Sequence, residues 1–210
     1  MTLSTILAFA AMAALLIMSP GPNGVLIAKT VPTSGKAAGF AVIAGFAVAF
    51  FVHGTFAIFG LSVLVLQSAN LFMAVKLIGA AYLIWIGAKA LLDAWKGKPA
   101  EVLKVAPAKR PRNLLKAFGE GFLTNALNPK VAMFYIAAFP QFMPHDGPPA
   151  AAYILVAVHA LLNLAWFGPM VLLFERLSKF ARSGAFTRSL KGLTGLVFVG
   201  FGLKLATLRA

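Results

Sequence analysis

Long, nearly charge-free apolar segments constrain this chain more than any other feature. Of its 210 residues, 60% are hydrophobic and only 11% are charged, whereas a soluble domain contains about 25% charged residues. A helix needs about 20 apolar residues to cross a bilayer. Six segments approach or exceed that length, at residues 3–28, 40–66, 71–92, 117–139, 151–174 and 190–205. The sequence therefore predicts an all-α integral membrane protein with six transmembrane helices.

The positions of the charges predict how these helices are oriented. The 19 Lys and Arg residues outnumber the 5 Asp and Glu residues, which gives a net charge of +14. The first, third and fifth connections hold fourteen of the basic residues, namely Lys29, Lys36, Lys96, Lys98, Lys104, Lys109, Arg110, Arg112, Lys116, Arg176, Lys179, Arg182, Arg188 and Lys191. Basic loops of membrane proteins face the cytoplasm, so both termini are predicted to be external. The basic stretch 96–116 has no interleaved aromatic residues, and topology explains it without nucleic acid.

The longest polar connection divides the chain into two halves of equal helix number. Residues 1–92 are predicted to form one three-helix repeat, residues 93–116 a basic cytoplasmic linker, and residues 117–210 a second three-helix repeat. Because each half has an odd number of spans, a repeated second half would be inverted in the membrane.

Short matches between the halves occur in the same order. Lys76, Gly87 and Lys89 match Lys191, Gly202 and Lys204, each 115 residues later. Phe59-Gly60 corresponds to Phe167-Gly168, 108 residues later, and Pro20 and Pro22 lie 109 and 107 residues before Pro129. Agreement in order and offset favours two inverted repeats over chance similarity of apolar helices.

Proline interrupts the first and the fourth predicted helix. The first contains Ser19-Pro20-Gly21-Pro22-Asn23 and the fourth contains Asn125-Ala126-Leu127-Asn128-Pro129-Lys130. Proline removes a backbone donor and clashes with the carbonyl four residues back, and a Ser or Asn cap followed by proline starts a new helix. Each of these two spans is therefore predicted to be a pair of half-helices that meet within the membrane.

The half-helix N-termini predict a binding site. Such an end presents free N–H groups and about half a positive charge, which suits a carboxylate, and matched broken helices mark the sites of transporters. The predicted substrate-binding residues are Gly21, Pro22, Asn23, Asn125, Asn128, Pro129 and Lys130. The alternative is an ordinary proline kink in each helix. The match is imperfect, since Pro20 lies past the middle of the first segment whereas Pro129 lies near the middle of the fourth.

These motifs together resemble one family of bacterial membrane proteins. The chain resembles the LysE/RhtB family of amino-acid exporters. In the first half the resemblance lies in Pro20-Gly21-Pro22-Asn23, in the glycine-rich second segment with His53 and Gly60-Leu61-Ser62, and in Gly79-Ala80-Ala81-Tyr82-Leu83. In the second half it lies in Gly121-Phe122-Leu123-Thr124-Asn125, Asn128-Pro129-Lys130 and Pro140-Gln141-Phe142. The resemblance implies secondary export of amino acids across the bacterial inner membrane, driven by the proton gradient. Some members of the wider superfamily move metal ions. The absence of cysteine and the scarcity of acids argue against that here.

Three ionisable residues within the spans are candidates for special roles. His53 lies on a stripe of small residues in the second segment, and histidine titrates near neutral pH; it is either a proton relay or a packing residue. Glu120 lies two helical turns before Asn128, and it either carries the coupling proton or pairs with Lys116 at the interface. Lys130 needs a partner at its depth, which is a substrate carboxylate, an internal acid, or carbonyls freed by the other break.

The same residues weigh against other functions. The spans contain no paired aspartates, no H-E-x-x-H motif and no Ser/His/Asp set, so an intramembrane enzyme is not predicted. No cofactor and no metal are predicted. A non-transporting membrane anchor or subunit stays an alternative, as does an exporter of another small solute or ion. A basic substrate needs an acidic partner, and the spans offer only Glu120, so neutral, small or aliphatic amino acids are favoured. The sequence leaves open whether the protein forms a homo-oligomer.

Overall fold

The computed structural model describes residues 1–60, 69–97, 113–144, 148–174 and 184–207. Seven α-helices lie in these ranges: α1 (Leu3–Met18), α2 (Pro22–Thr55), α3 (Ala69–Trp95), α4 (Leu114–Ala126), α5 (Pro129–Met133), α6 (Tyr153–Leu172) and α7 (Gly184–Thr207). Shorter helical turns extend or precede three of them, at Phe56–Gly60 after α2, at Phe134–Ala138 and Phe139–Phe142 after α5, and at Pro149–Ala152 before α6. The described residues contain no strand, which confirms the all-α prediction.

Four helical stretches in the described part of the chain are long and apolar enough to cross a membrane. They are Pro22–Gly60, Met73–Trp95, Ala150–Leu172 and Arg188–Thr207, and α1 is apolar but shorter. The count of six spans therefore stays a prediction. Several predicted features lie outside the described residues, namely the end of the second segment at 61–66, most of the basic linker at 98–112, and the fifth-connection residues Arg176, Lys179 and Arg182.

The predicted polar connection between the first two segments is shorter than expected. Lys29 and Lys36 are both helical, and the direction of α2 changes at Gly35 alone, where φ is 84° and ψ is 175°. Glycine reaches this positive φ without a steric penalty. A single residue therefore joins the two predicted spans, and a loop at 29–39 was the wrong expectation.

The first proline motif breaks the helix as predicted. α1 ends at Met18, the capping Ser19 is extended with ψ of 138°, and α2 begins with Pro22 in its first turn. A residue before proline is biased away from helical angles, which accounts for the conformation of Ser19.

The second proline motif produces the same kind of break. α4 ends at Ala126, and α5 begins at Pro129 with Asn128 as its cap. The Asn128 side chain accepts a hydrogen bond from the Lys130 backbone N–H at 3.1 Å. This is the cap-and-proline arrangement that starts a helix.

The first helix break lies closer to the middle of its helical unit than the sequence segments indicated. Because α2 stays helical up to Gly35, the first broken unit runs from Leu3 to Ser34, and its break at 19–21 lies near the middle. The second broken unit runs from Leu114 to Phe142, and its break at 127–128 is also central. The mismatch came from ending the first segment too early.

Small residues bring the helices into close antiparallel contact. Gly45 of α2 lies against the backbone of Phe118, and Gly121 of α4 lies against the backbone of Val42. A side chain at either glycine would collide with main-chain atoms. Close backbone approach at small residues is the usual way in which membrane helices pack.

Candidate functional site

The two helix breaks meet through three asparagine side chains. Asn23, in the first turn of α2, donates from Nδ2 to Oδ1 of Asn125 at 2.9 Å. Asn128 donates from Nδ2 to Oδ1 of Asn23 at 3.3 Å. The predicted site residues of both halves are thus in direct contact.

Asn125 fixes the second break to α2. Its side chain is fully buried and donates to the Phe46 carbonyl at 2.9 Å. Its own carbonyl accepts from the Asn128 backbone N–H at 3.1 Å and lies 3.3 Å from His53 Nε2. Since a carbonyl only accepts, this contact requires the hydrogen of His53 on Nε2. Asn125 and His53 therefore hold the second break in place against α2.

Lys130 of the second break binds the carbonyl end of the first. Its ammonium donates to the Leu16 carbonyl at 3.0 Å, to the Ser19 carbonyl at 3.1 Å and to Ser19 Oγ at 2.6 Å. In a continuous helix the Leu16 carbonyl would accept from residue 20, but Pro20 has no N–H. Of the three partners expected for Lys130, the structure has the carbonyls freed by the other break.

Gly21 leaves room for this lysine. A Cβ at position 21 would lie 3.0 Å from Lys130 Nζ. The φ of Gly21 is −179°, an extended conformation open to any residue. The glycine is therefore needed for space and not for its backbone angles.

A small cavity of about 20 Å³ lies where the two breaks meet. It has room for about one water molecule, so an amino acid fits only if the surrounding helices move apart. Its walls combine polar and apolar side chains with two glycines: Ser19, Asn23, Asn128, Lys130, His159 and Asn163; Leu16, Ile17, Phe50, Val131 and Phe167; Gly21 and Gly24. None of the described residues that line the cavity is a carboxylate, so the charge of Lys130 has no acidic counterpart among them.

The predicted site residues fall into two groups. Gly21, Asn23, Asn128 and Lys130 line the cavity, whereas Asn125 lies behind it. Pro22 and Pro129 are exposed and begin α2 and α5 without lining the cavity.

The two proton-coupling candidates also lie outside the cavity wall. His53 is half-buried and stacks on the Tyr135 ring, with centroids 5.6 Å apart and planes at 16°. Glu120 lies on α4, half-buried. His53 contacts the predicted site residue Asn125 through its hydrogen bond to the Asn125 carbonyl.

Sequence reasoning missed two cavity residues on α6. They are His159 and Asn163, neither of which the sequence indicated as a site residue. Both are fully buried and line the cavity. His159 Nδ1 is 3.1 Å from the Tyr135 hydroxyl, and its ring stacks on Phe50 with centroids 4.0 Å apart. His159, Asn163 and Phe167 follow one another at intervals of four residues and therefore lie on one face of α6. Two polar residues on one face of an apolar helix are the sequence pattern that could have indicated a site here.

No group of three or more His, Cys, Asp or Glu side chains that could hold a metal ion occurs among the described residues. The donors around the cavity are amides, a hydroxyl, an imidazole and an ammonium. This donor set suits a small polar molecule with a negatively charged end.

Comparison with known proteins identifies the family of the chain. The family model for LysE type translocators matches residues 14–209. The uncharacterized membrane protein YrhP of Bacillus subtilis is 32% identical, over 95% of this chain and 97% of its own length. The leucine efflux protein of Klebsiella pneumoniae is 28% identical, over 94% and 92%. The threonine efflux protein of Salmonella typhi is 29% identical, over 90% and 91%. No solved structure matches the chain. In this protein the broken helices surround a cavity lined by polar and apolar residues. The chain therefore belongs to the family of LysE type translocators, which are membrane transporters.

Proposed function

We propose that this protein exports neutral amino acids from the cytoplasm and binds them in the cavity between its two helix breaks. The proposal rests on one observation. Both helix breaks meet at one cavity, and the Lys130 ammonium in its wall has no carboxylate among the described lining residues. The names of the leucine and threonine efflux relatives support the same substrate class.

The substrate carboxylate binds at the start of α2 and at Lys130. Gly21, the cap of α2, has no side chain with which to cap the first N–H groups. At α5, in contrast, the Asn128 side chain already accepts from the Lys130 N–H. An uncapped helix N-terminus beside an ammonium group favours an anion. Asn23 and Asn128 supply further side-chain donors at the same place.

Binding of the carboxylate opens the cavity. Lys130 donates to three acceptors at the end of α1, and an ammonium has only three N–H groups. A carboxylate must therefore replace at least one α1 acceptor. Loss of these bonds loosens α1 from α5, and the cavity gains the volume that the substrate needs.

The cavity walls favour substrates with neutral side chains. Among the lining residues a basic side chain would find no carboxylate and would face the Lys130 charge. Phe50, Phe167 and Val131 present apolar surface that suits an aliphatic side chain. Leucine and threonine fit these requirements better than lysine or arginine.

We infer that the two halves are inverted repeats that rock about this site. The antiparallel contact between α3 and α7 supports this. A Cβ at Gly87 would meet the Gly195 carbonyl at 2.8 Å, and a Cβ at Gly195 would meet the Gly87 carbonyl at 2.7 Å. The two glycines are 108 residues apart, which is the offset of the Phe59-Gly60 and Phe167-Gly168 match, whereas the sequence matched Gly87 with Gly202. Such reciprocal contact is expected of helices related by a two-fold axis.

The remaining corresponding helices also run antiparallel. Gly54 of α2 lies against Val156 of α6, and Gly39 lies against Val171. Likewise, Phe9 of α1 packs against Phe139, whereas Leu16, further along α1, contacts Lys130. These pairings support a second half that enters the membrane from the opposite side.

We further propose that the protein lies in the bacterial inner membrane, with its basic connections cytoplasmic and both termini external. The chain has no cysteine, so single cysteines report cleanly. A thiol reagent applied outside intact cells should label His145→Cys and should label Ala108→Cys only after permeabilisation. The reverse pattern would contradict this orientation.

Proton coupling is assigned to His53. Its imidazole bonds the carbonyl of Asn125 and stacks on Tyr135, so a change in its charge acts directly on the second break. His53→Ala should reduce proton-driven export more than substrate exchange, measured in the same vesicles. Equal loss of both activities, or of neither, would make His53 a packing residue.

Efflux from loaded proteoliposomes tests the function. Leucine, threonine, alanine, lysine, arginine and leucinamide are compared with and without a proton gradient. We expect export of the neutral acids, little export of the basic ones, and none of leucinamide, because the amide lacks the anion. Transport of leucinamide equal to that of leucine would overturn the carboxylate assignment. Absence of transport across the panel would instead favour an exporter of another solute or a non-transporting subunit.

A further inference from the structure

Helix α6 presents to the cavity three polar atoms that have no hydrogen-bond partner among the described residues. They are Nε2 of His159 and both Oδ1 and Nδ2 of Asn163. Both side chains are fully buried and both line the cavity. A buried donor or acceptor without a partner costs free energy, and native proteins rarely keep one without a reason.

Comparison with Asn125 indicates that the unpaired atoms of Asn163 have a functional role. Asn125 is equally buried, yet its side chain donates to Phe46 and accepts from Asn23. The fold thus pairs one interior asparagine completely and leaves the other, four residues from a histidine, directed at the cavity. These unpaired atoms can therefore bind a ligand in the cavity.

The chemistry of the cavity indicates which part of the ligand these atoms bind. Lys130, Asn128 and the start of α2 are donors, and they serve the substrate carboxylate. The ammonium group of an amino acid is itself a donor and needs acceptors. Among the described residues no carboxylate lines the cavity, and the Asn163 carbonyl oxygen is an unpaired neutral acceptor in its wall.

Neighbouring residues complete a place for a cation. His159 Nε2 becomes an acceptor when Nδ1–H donates to the Tyr135 hydroxyl, 3.1 Å away. The rings of Phe50 and Phe167 also line the cavity, and aromatic faces attract ammonium groups.

We propose that Asn163, together with His159, binds the α-ammonium group of the substrate. This assignment rests on the proposed function. The helix breaks bind the substrate carboxylate, and α6 binds its ammonium group. It explains how a cavity without a carboxylate distinguishes an amino acid from a simple carboxylic acid.

Transport of leucine is therefore compared with that of 4-methylpentanoate, which is leucine without its amino group. In the wild type we expect leucine to be strongly preferred. Asn163→Leu should lower kcat/KM for leucine by about tenfold or more, the value of one hydrogen bond to a charged group. It should leave 4-methylpentanoate nearly unchanged, so that the preference collapses. Asn163→Asp keeps an acceptor and should keep the preference.

Thermal unfolding separates this role from a structural one. Asn163→Leu removes only unpaired atoms and should leave Tm unchanged or raised, whereas Asn125→Leu breaks two hydrogen bonds and should lower it. Leu161→Ala, on the exposed side of α6, is the matched control and should alter neither the preference nor the rate.

Two outcomes would overturn the assignment. If Asn163→Leu lowers transport of both compounds equally, or changes neither, Asn163 does not bind the amino group. A wild type that transports no amino acid would refute the proposed function and this assignment together, so the two failures are distinguishable.

Discussion

The two helix breaks look alike in sequence but differ in the hydrogen-bond partners of the backbone groups that each break frees. At the second break, Asn128 caps its own helix by accepting from the Lys130 N–H. At the first break, Pro20 leaves the Leu16 carbonyl without its helical donor. This carbonyl accepts from the Ser19 hydroxyl and from the Lys130 ammonium, which comes from the other half of the protein and also binds the Ser19 carbonyl. One break is self-contained, whereas the other depends on its counterpart.

This difference shows how a repeated motif becomes a mechanism. If the first break were self-capped, no ammonium bond between the two breaks would compete with the substrate. Because Lys130 serves both the end of α1 and, as proposed, the substrate carboxylate, occupancy of the cavity is coupled to the position of α1. The asymmetry of the two breaks is therefore what links binding to movement.

Removal of the shared cation should have the largest effect. Lys130→Met keeps most of the side-chain length but removes the ammonium donor of the Ser19 carbonyl and leaves the Leu16 carbonyl only the Ser19 hydroxyl, at 3.0 Å. Each bond to a charged group contributes about 1.5–3 kcal/mol, so we expect export to fall about 100-fold and Tm to drop. Both quantities are measured on purified protein, by efflux and by thermal unfolding.

The control for that substitution is Lys89→Met on α3. The Lys89 ammonium lies 5.5 Å above the Trp85 ring on an exposed part of the helix. It should retain nearly full export. Near-normal export by Lys130→Met would show that the first break does not depend on the second.

The proline of the dependent break should matter more than that of the self-contained one. Pro20→Ala supplies an N–H to the Leu16 carbonyl, so α1 can continue and Lys130 loses an acceptor. Pro129→Ala leaves the Asn128 cap in place. We expect export to fall about tenfold for Pro20→Ala and about twofold for Pro129→Ala, since a proline at a capped helix start is replaceable. Equal losses, measured as initial efflux rates, would contradict the asymmetry.

The breaks themselves were predictable because their signals are local. Proline, its preceding cap residue and the apolar length around them fix where a helix stops and starts, and both breaks occur where the sequence predicted. The turn at Gly35 was missed because one glycine at positive φ needs no polar loop around it. Composition alone cannot distinguish such a turn from a glycine inside a helix.

The contents of the cavity were harder to predict because they depend on packing. The sequence indicated that Lys130 needs a partner but not which of three it would find, since that choice is made by a residue 111 positions away, Ser19. His159 and Asn163 contribute through the side of α6 that faces the breaks, which a single sequence does not reveal. Polar residues in an apolar span indicate that something is bound, but not what.

Loss of the cap at the self-contained break should have a moderate effect. Asn128→Leu removes the bond to the Lys130 N–H and the bond to Asn23. A helix cap contributes about 1 kcal/mol, so binding should weaken about fivefold for every substrate. The ratio of leucine to threonine transport should stay constant, because the backbone and not the side-chain pocket is affected. A changed ratio in the efflux panel would mean that Asn128 contacts the substrate side chain.

The smallest effect is expected from a methyl group placed beside the shared cation. Gly21→Ala puts a Cβ 3.0 Å from Lys130 Nζ, and the extended backbone at Gly21 accepts alanine without strain. The flexible lysine end can shift by a few tenths of an ångström, so the bonds to α1 weaken without breaking. We expect KM for leucine to change about twofold with little change in Tm, since such a shift costs only a fraction of a hydrogen bond. Gly119→Ala is the matched control, because a Cβ there meets nothing within 4 Å and alanine favours the helix. If Gly21→Ala behaves like Gly119→Ala, the lysine has more freedom than its three contacts indicate. The dependence of the first break on the second would then be looser than the closed geometry requires.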